Sequence, residues 1–282
     1  MRRFGFHKAS SLQEALELKA HFGTGGLLVA GGTDLLVALR DQDPSLPPVD
    51  VIDIGRLAEL KGVFRQNGGI RLGPLATHTE VARSPEIRRW APLLAAASAE
   101  VGSPQIRNRG TVGGNLCNAS PCADTVPPLV ALGAEATLRS VRGSRTVRVE
   151  EAVVAPYRTV LADDEILTDI HFAPIADGVG SAFVKLGRRN ALSVSRMSVA
   201  VILGTGIVRI AAGSVLPTVR RFPEVEGFLD GKAPAAELFD AAGSLLAAEM
   251  IRISGRRWST PYKEPVVAVL LKRALARAAG WV

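Results

Sequence analysis

The sequence predicts a chain of mixed helices and strands in two units, parted near residues 174–180. Three observations support this. Short apolar runs bounded by glycine alternate with helical patterns from Ser11 to Phe172. Pro174 to Gly180 reads as a linker. Beyond it, two alternating strands meet around Gly204-Thr205-Gly206, and two long helices follow.

In chain order, Ser11 to His21 predicts a helix capped by Ser10 or Ser11, with Glu14 at capping-box spacing from Ser11. Leu27 to Ala30 predicts a short buried strand, Thr33 to Arg40 a helix and Val49 to Ile54 another strand, together a βα-type unit. Ile70 to Gly73 is a strand leading to a helix from Thr77 or Thr79, and an alanine-rich helix spans Ala91 to Val101. Gly102 to Pro121 contains four glycines and few helix formers. Ala123 to Leu132 predicts a helix, Ala136 to Val149 a hairpin turning at Gly143-Ser144, and Glu165 to Phe172 a strand. Ser198 to Leu203 and Ile207 to Val215 form the later hairpin. Helices then cover about Ala235 to Met250 and Pro265 to Ala279, with Pro265 in a first turn.

Composition removes several function classes. The chain has 282 residues, 47% hydrophobic and 22% charged, which excludes wholesale disorder and allows one or two domains. Cys117 and Cys122 are the only cysteines, too few for a disulfide scaffold or a four-thiolate cluster. A formal charge of +7 permits a polyanion partner, but the aromatic share of 5% speaks against a base-stacking platform. Arg139, Arg142, Arg145 and Arg148 recur through the hairpin as a solvated face rather than a nucleic-acid stripe. Phe4 to Ser11 lacks the apolar region of a signal peptide, and runs such as Val266 to Leu271 are far too short to span a bilayer. The expectation is a cytoplasmic protein without a membrane span.

Glycine pairs mark the candidate site: Ala30-Gly31-Gly32-Thr33-Asp34 and Thr111-Val112-Gly113-Gly114-Asn115. A Gly-Gly turn can aim consecutive N–H groups at one point, and before a helix such a nest favours an anion. Two readings stand: tight turns with no ligand, or a pair of nests holding a pyrophosphate. Neither segment matches Gly-x-Gly-x-x-Gly or the Walker pattern.

Val29 to Leu36, Gln105 to Leu116 and Asn118 to Pro121 with Asp124 strongly resemble the FAD-binding middle subunit of molybdenum hydroxylases, the xanthine dehydrogenase and carbon monoxide dehydrogenase relatives. The resemblance continues through Asp164 to Leu167, Ser181 to Lys185 and Pro265 to Ala274, and so covers the whole chain. It implies an α+β, vanillyl-alcohol-oxidase-type (PCMH-type) FAD-binding fold over residues 1–175, with subdomains of about 1–54 and 55–175. A C-terminal α+β domain of the CO dehydrogenase flavoprotein type would cover 178–282.

The same resemblance implies the site. Leu28, Val29, Ala30, Gly31, Gly32, Thr33, Asp34 and Leu35 would wrap the pyrophosphate, and Thr111, Val112, Gly113, Gly114 and Asn115 would form a second phosphate-contacting turn. Asp124 would hold the hydroxyl-bearing portion of the flavin, Leu167 would pack near the cofactor, and Lys185 would lie near the isoalloxazine or its tail. Cys117 occupies a position that in relatives abuts the ring as an apolar residue. Without the resemblance, Leu167 reads as core, Lys185 as a solvated charge, and both cysteines as small buried hydrophobes. None of His7, His21, His78 and His171 sits in an attachment motif, so non-covalent FAD is expected; His78, in Ala76-Thr77-His78-Thr79, either approaches the cofactor or has a surface or helix-capping role, the latter being favoured.

The implied activity is that of an oxidoreductase subunit, with no general base or nucleophile and no metal ligands of its own. A molybdenum-cofactor large subunit would hydroxylate substrate, and a [2Fe-2S] small subunit would relay electrons to this FAD. NAD, a quinone or oxygen would accept them. Asp34, where many carbon monoxide dehydrogenase relatives have serine, and Cys117 to Pro121 point to the xanthine dehydrogenase-like branch. The alternatives are a stand-alone flavin oxidase of the same fold and a basic nucleic-acid-binding protein.

Overall fold

The computed structural model describes residues 1–189 and 191–281. Its first elements are β1 (Phe4–Lys8), α1 (Leu12–Phe22), β2 (Gly26–Val29), α2 (Leu35–Asp41) and β3 (Val49–Asp53). The three strands form a parallel sheet in the order β1-β3-β2, so α1 crosses from one edge strand to the other and α2 returns the chain to the centre. Ser11 caps α1 by accepting from Glu14 N at 3.1 Å, but the Glu14 carboxylate turns to Ser10 N at 2.7 Å, so the expected reciprocal box is displaced by one residue. β1 carried no strand signal because its alternation is broken by Gly5, His7 and Lys8, and Phe6 stays 59% exposed.

The middle of the chain is built on an antiparallel five-stranded sheet. It comprises β4 (Val63–Gln66) and β5 (Gly69–Leu72), six short helices, then the hairpin β6 (Glu135–Ser140) and β7 (Gly143–Arg148). The helices are α3 (His78–Arg83), α4 (Pro85–Trp90), α5 (Pro92–Ala99), α6 (Pro104–Arg107), α7 (Val112–Asn118) and α8 (Val126–Ala131). A further turn α9 (Val149–Ala152) and the small pair β8 (Val153–Ala155) and β9 (Arg158–Thr159) lead to β10 (Ile166–Phe172). β10 lies at the centre of the order β4-β5-β10-β6-β7.

Proline and hydroxyl residues decide the helix boundaries. Pro85, Pro92 and Pro104 each begin a helix, and Thr77, Ser84, Ser103 and Thr111 cap α3, α4, α6 and α7. The single alanine-rich helix expected from Ala91 is therefore α5 alone, from Pro92 to Ala99, with α4 before it. The region from Gly102 to Pro121, which read as poor in helix, holds α6 and α7.

The last elements are β11 (Gly180–Leu186), β12 (Met197–Gly204), β13 (Ile207–Gly213), β14 (Arg220–Arg221), α10 (Pro223–Leu229), α11 (Ala236–Ser254) and α12 (Thr260–Ala278). Four antiparallel strands pack on α11 and α12. α12 starts five residues before Pro265, which lies inside it rather than in the expected first turn. β12 is buried on both faces. Met197, Val199 and Val201 join the core under the C-terminal helices, while Ala200 and Ile202 join that of the five-stranded sheet.

Candidate functional site

A cleft of about 890 Å³ opens where β2 and the following turn meet α7 and the segment before β10. All of Leu28, Val29, Ala30, Gly31, Gly32, Thr33, Asp34 and Leu35 line it, as do Thr111, Gly113, Gly114, Asn115, Cys117, Asp124 and Leu167. Two expected residues do not. Val112 is turned wholly into the core, and Lys185 stands behind the wall. A depression of about 560 Å³ between α11 and α12 shares no residue with the cleft.

The two glycine segments touch each other but differ in kind. At the first, Gly32 adopts φ +75°, a conformation glycine takes without strain. The N–H groups of Gly31, Gly32, Thr33 and Asp34 find no protein acceptor among the described residues. Gly31 lies so close to the main chain of Arg109 and Gly110 that a Cβ there would run into the Arg109 carbonyl. The second segment is a helix start rather than a turn. Val112 N donates to Ala76 O at 3.0 Å, Gly113 N to Pro74 O at 2.9 Å, and Gly114 N to the Thr111 cap at 3.0 Å. Its glycines serve contact: a Cβ on Gly113 would collide with Pro74. Asn118 at the end of α7 donates to Asp34 Oδ1 at 3.1 Å and ties the segments together.

Asp124 lies between cleft and core. Its Oδ2 takes a hydrogen bond from Lys185 Nζ at 2.6 Å, and Ser195 Oγ donates to Oδ1. Lys185 also donates to Glu100 O at 2.9 Å. Its side chain is only 6% exposed, so it is not the solvated charge that its residue type suggests. Burial pushes the Asp124 carboxyl above its ordinary range; the Lys185 charge and both hydrogen bonds offset part of that effect. Cys117 lines the wall, and burial pushes its thiol up to about 12, so it faces the cleft as a neutral group.

Other residues in and beside the wall lay outside the expected site. Lys19, on α1, is buried and donates to Gly23 O and Gly26 O, both at 2.8 Å; burial lowers its pKa. Glu165 is clasped by Arg145 through two 2.7 Å hydrogen bonds, the first cause of its lowered pKa. Arg142 pairs likewise with Asp164, so two arginines of the hairpin stripe are occupied by carboxylates. Leu192 and Val194 are exposed apolar residues at the cleft edge. His78, for which the sequence favours a surface or capping role over an approach to the cofactor, is buried in the wall beside Gly110. Its capping neighbour is Thr77.

Residues 2–174 match the family model described as the FAD binding domain in molybdopterin dehydrogenase. The chain belongs to this family. Residues 182–278 match a second model, the CO dehydrogenase flavoprotein C-terminal domain. Among curated relatives of this molybdopterin dehydrogenase family, the nicotine 6-hydroxylase medium subunit of Paenarthrobacter nicotinovorans is 34% identical over 258 residues, 89% of each chain. The putative xanthine dehydrogenase FAD-binding subunit of Escherichia coli K12 is 30% identical, covering 97% of this chain and 95% of the relative. Among solved structures, the carbon monoxide dehydrogenase of Hydrogenophaga pseudoflava superposes with a TM-score of 0.90 at 31% identity, over 99% of this chain and 98% of that one. Identities to the nicotine, xanthine and carbon monoxide proteins are thus alike and do not choose between branches.

The chain is therefore the FAD-binding medium subunit of a molybdenum hydroxylase, an oxidoreductase component with the PCMH-type fold. FAD suits the cleft described above: four unpartnered N–H groups match an anionic bridge, and apolar Leu28, Cys117 and Leu167 share the wall with them. Among the described residues no helix is long and apolar enough to cross a membrane.

Proposed function

We propose that this chain is the electron-transfer subunit of a cytoplasmic molybdenum hydroxylase, taking electrons from a [2Fe-2S] partner subunit and passing them to an external acceptor such as NAD. The carrying observation is the row of free N–H groups from Gly31 to Asp34 in the wall of one long cleft. FAD supplies the redox chemistry when bound. The chain's own residues bind and orient it. Gly31 to Asp34 would take the diphosphate, and Asp124, fixed by Lys185 and Ser195, would present a carboxylate to the hydroxyl-bearing part. Thr111, Gly113, Gly114 and Asn115 would shape the wall through Cα surfaces and side chains, since the N–H groups from Val112 to Asn115 are engaged within the protein. Residues 1–175 would hold the cofactor and 178–282 would close its far side; the two family-model ranges support this division. Relatives named for nicotine, xanthine and carbon monoxide fit a substrate chosen by a separate molybdenum subunit.

The test is purification of the complex from its native source. A yellow preparation releasing about one FAD per chain, with partners containing molybdenum and iron, is expected. Its flavin absorbance should bleach when the hydroxylase substrate is added without acceptor, and recover with acceptor. Colourless protein that takes up no FAD on reconstitution would overturn the reading.

A further inference from the structure

We propose that His78 donates a hydrogen bond from Nε2 to the anionic diphosphate bridge of bound FAD, completing the donor set of the Gly31–Asp34 turn; this rests on the FAD reading above. His78 is 2% exposed, and its backbone N–H is fixed on Gly110 O at 3.1 Å. Nδ1 is sealed from solvent and has no hydrogen-bond partner. Nε2 likewise has no partner in the protein, but it is not among the sealed atoms, and the residue lines the cleft.

Burial, reinforced by the Arg107 charge, lowers the imidazole to about 4, so the ring is neutral and carries one proton. A buried donor without an acceptor is rarer and costlier than an acceptor without a donor, so the proton belongs on Nε2. That N–H then points where a ligand can use it.

Position identifies the acceptor. The Arg109–Gly110 main chain lies between the ring and the free N–H row. A methyl on Gly110 would stand 3.2 Å from His78 Cδ2 and 3.5 Å from Nε2, while one on Gly31 would stand 3.0 Å from the Gly110 Cα. The absence of both methyl groups lets turn, main chain and imidazole pack closely in sequence. Four free main-chain N–H groups and the imidazole N–H on one stretch of wall are donors that suit phosphoryl oxygens, which only accept.

The test uses the full chain stripped of flavin, titrated with FAD, ADP and riboflavin by fluorescence and calorimetry. H78Q, whose amide nitrogen reaches the Nε2 position, should bind FAD within about threefold of the parent. H78N, which reaches only the Nδ1 position, and H78F should each weaken FAD and ADP by about tenfold. Riboflavin, which has no diphosphate, should be unaffected, and the melting temperatures of the flavin-free Gln and Asn variants should agree. Equal affinities in all variants, or riboflavin weakened as much as FAD, would overturn the assignment. So would retention by Asn with loss in Gln. Should the Phe variant not fold, the Gln and Asn pair still decides. A parent chain that binds no FAD would instead remove the cofactor reading, and this contact with it.

Discussion

Lys185 on β11 reaches across to Asp124, before α8, and closes a 2.6 Å ion pair in which both side chains are almost fully buried. A buried charge left alone is far costlier than the pair. Lys185→Met should therefore destabilise the protein by about 3–5 kcal/mol and reduce FAD content. Adding Asp124→Asn should restore much of the stability, because the stranded charge is gone. Urea unfolding of the single and double variants measures both; equal losses in the two would contradict the pairing.

The two glycine segments should respond differently to alanine. Gly31→Ala places a methyl against backbone at Arg109, which cannot yield cheaply. A loss of about 1–3 kcal/mol is expected, with FAD retention abolished. Gly114→Ala meets the Thr111 hydroxyl at 2.9 Å, a side chain that can rotate away at the cost of one cap, about 1 kcal/mol. Thermal melts and bound-flavin absorbance of the two variants should separate them.

Acid should reveal His78. Its folded pKa lies at about 4 against an ordinary 6.5, so below pH 6.5 the unfolded chain binds a proton that the fold refuses. Stability contributed by the neutral ring is complete above pH 6.5 and is lost as pH falls toward 4, by about 3 kcal/mol in all. Unfolding free energies between pH 4 and 7 should show this slope in the parent and a shallower one in H78Q.

Pro265 sits in the sixth position of α12, where it removes the N–H that would bond Pro261 O. Pro265→Ala should restore that bond and raise stability by about 1–3 kcal/mol. A lower melting temperature would contradict this account of Pro265.

Local patterns were legible where one short segment decides its own shape. Ser11 and Thr77 mark their helices, Gly206 turns the β12–β13 hairpin, and the run from Leu28 to Leu35 lines the cleft throughout. The glycine pair at Gly113 misled because glycine disfavours helix on its own; a Thr111 cap and close packing on Pro74 override that preference. β4 escaped notice as a four-residue edge strand with Phe64 largely exposed. The Lys185–Asp124 pair joins residues 61 positions apart, and His78 owes its burial to Gly110; neither fact has a local trace.

The two-sided burial of β12 bears on how this chain can be handled. Ala200 and Ile202 fill the interior beneath the five-stranded sheet, together with Phe183 and Ala211, although all four follow residue 175. Cleavage there would leave the flavin-binding half with bare apolar side chains and the remainder with one face of its sheet stripped. Each fragment would be sticky, and dissection by truncation would report aggregation rather than function. Point substitutions in the intact chain are the instrument that suits it.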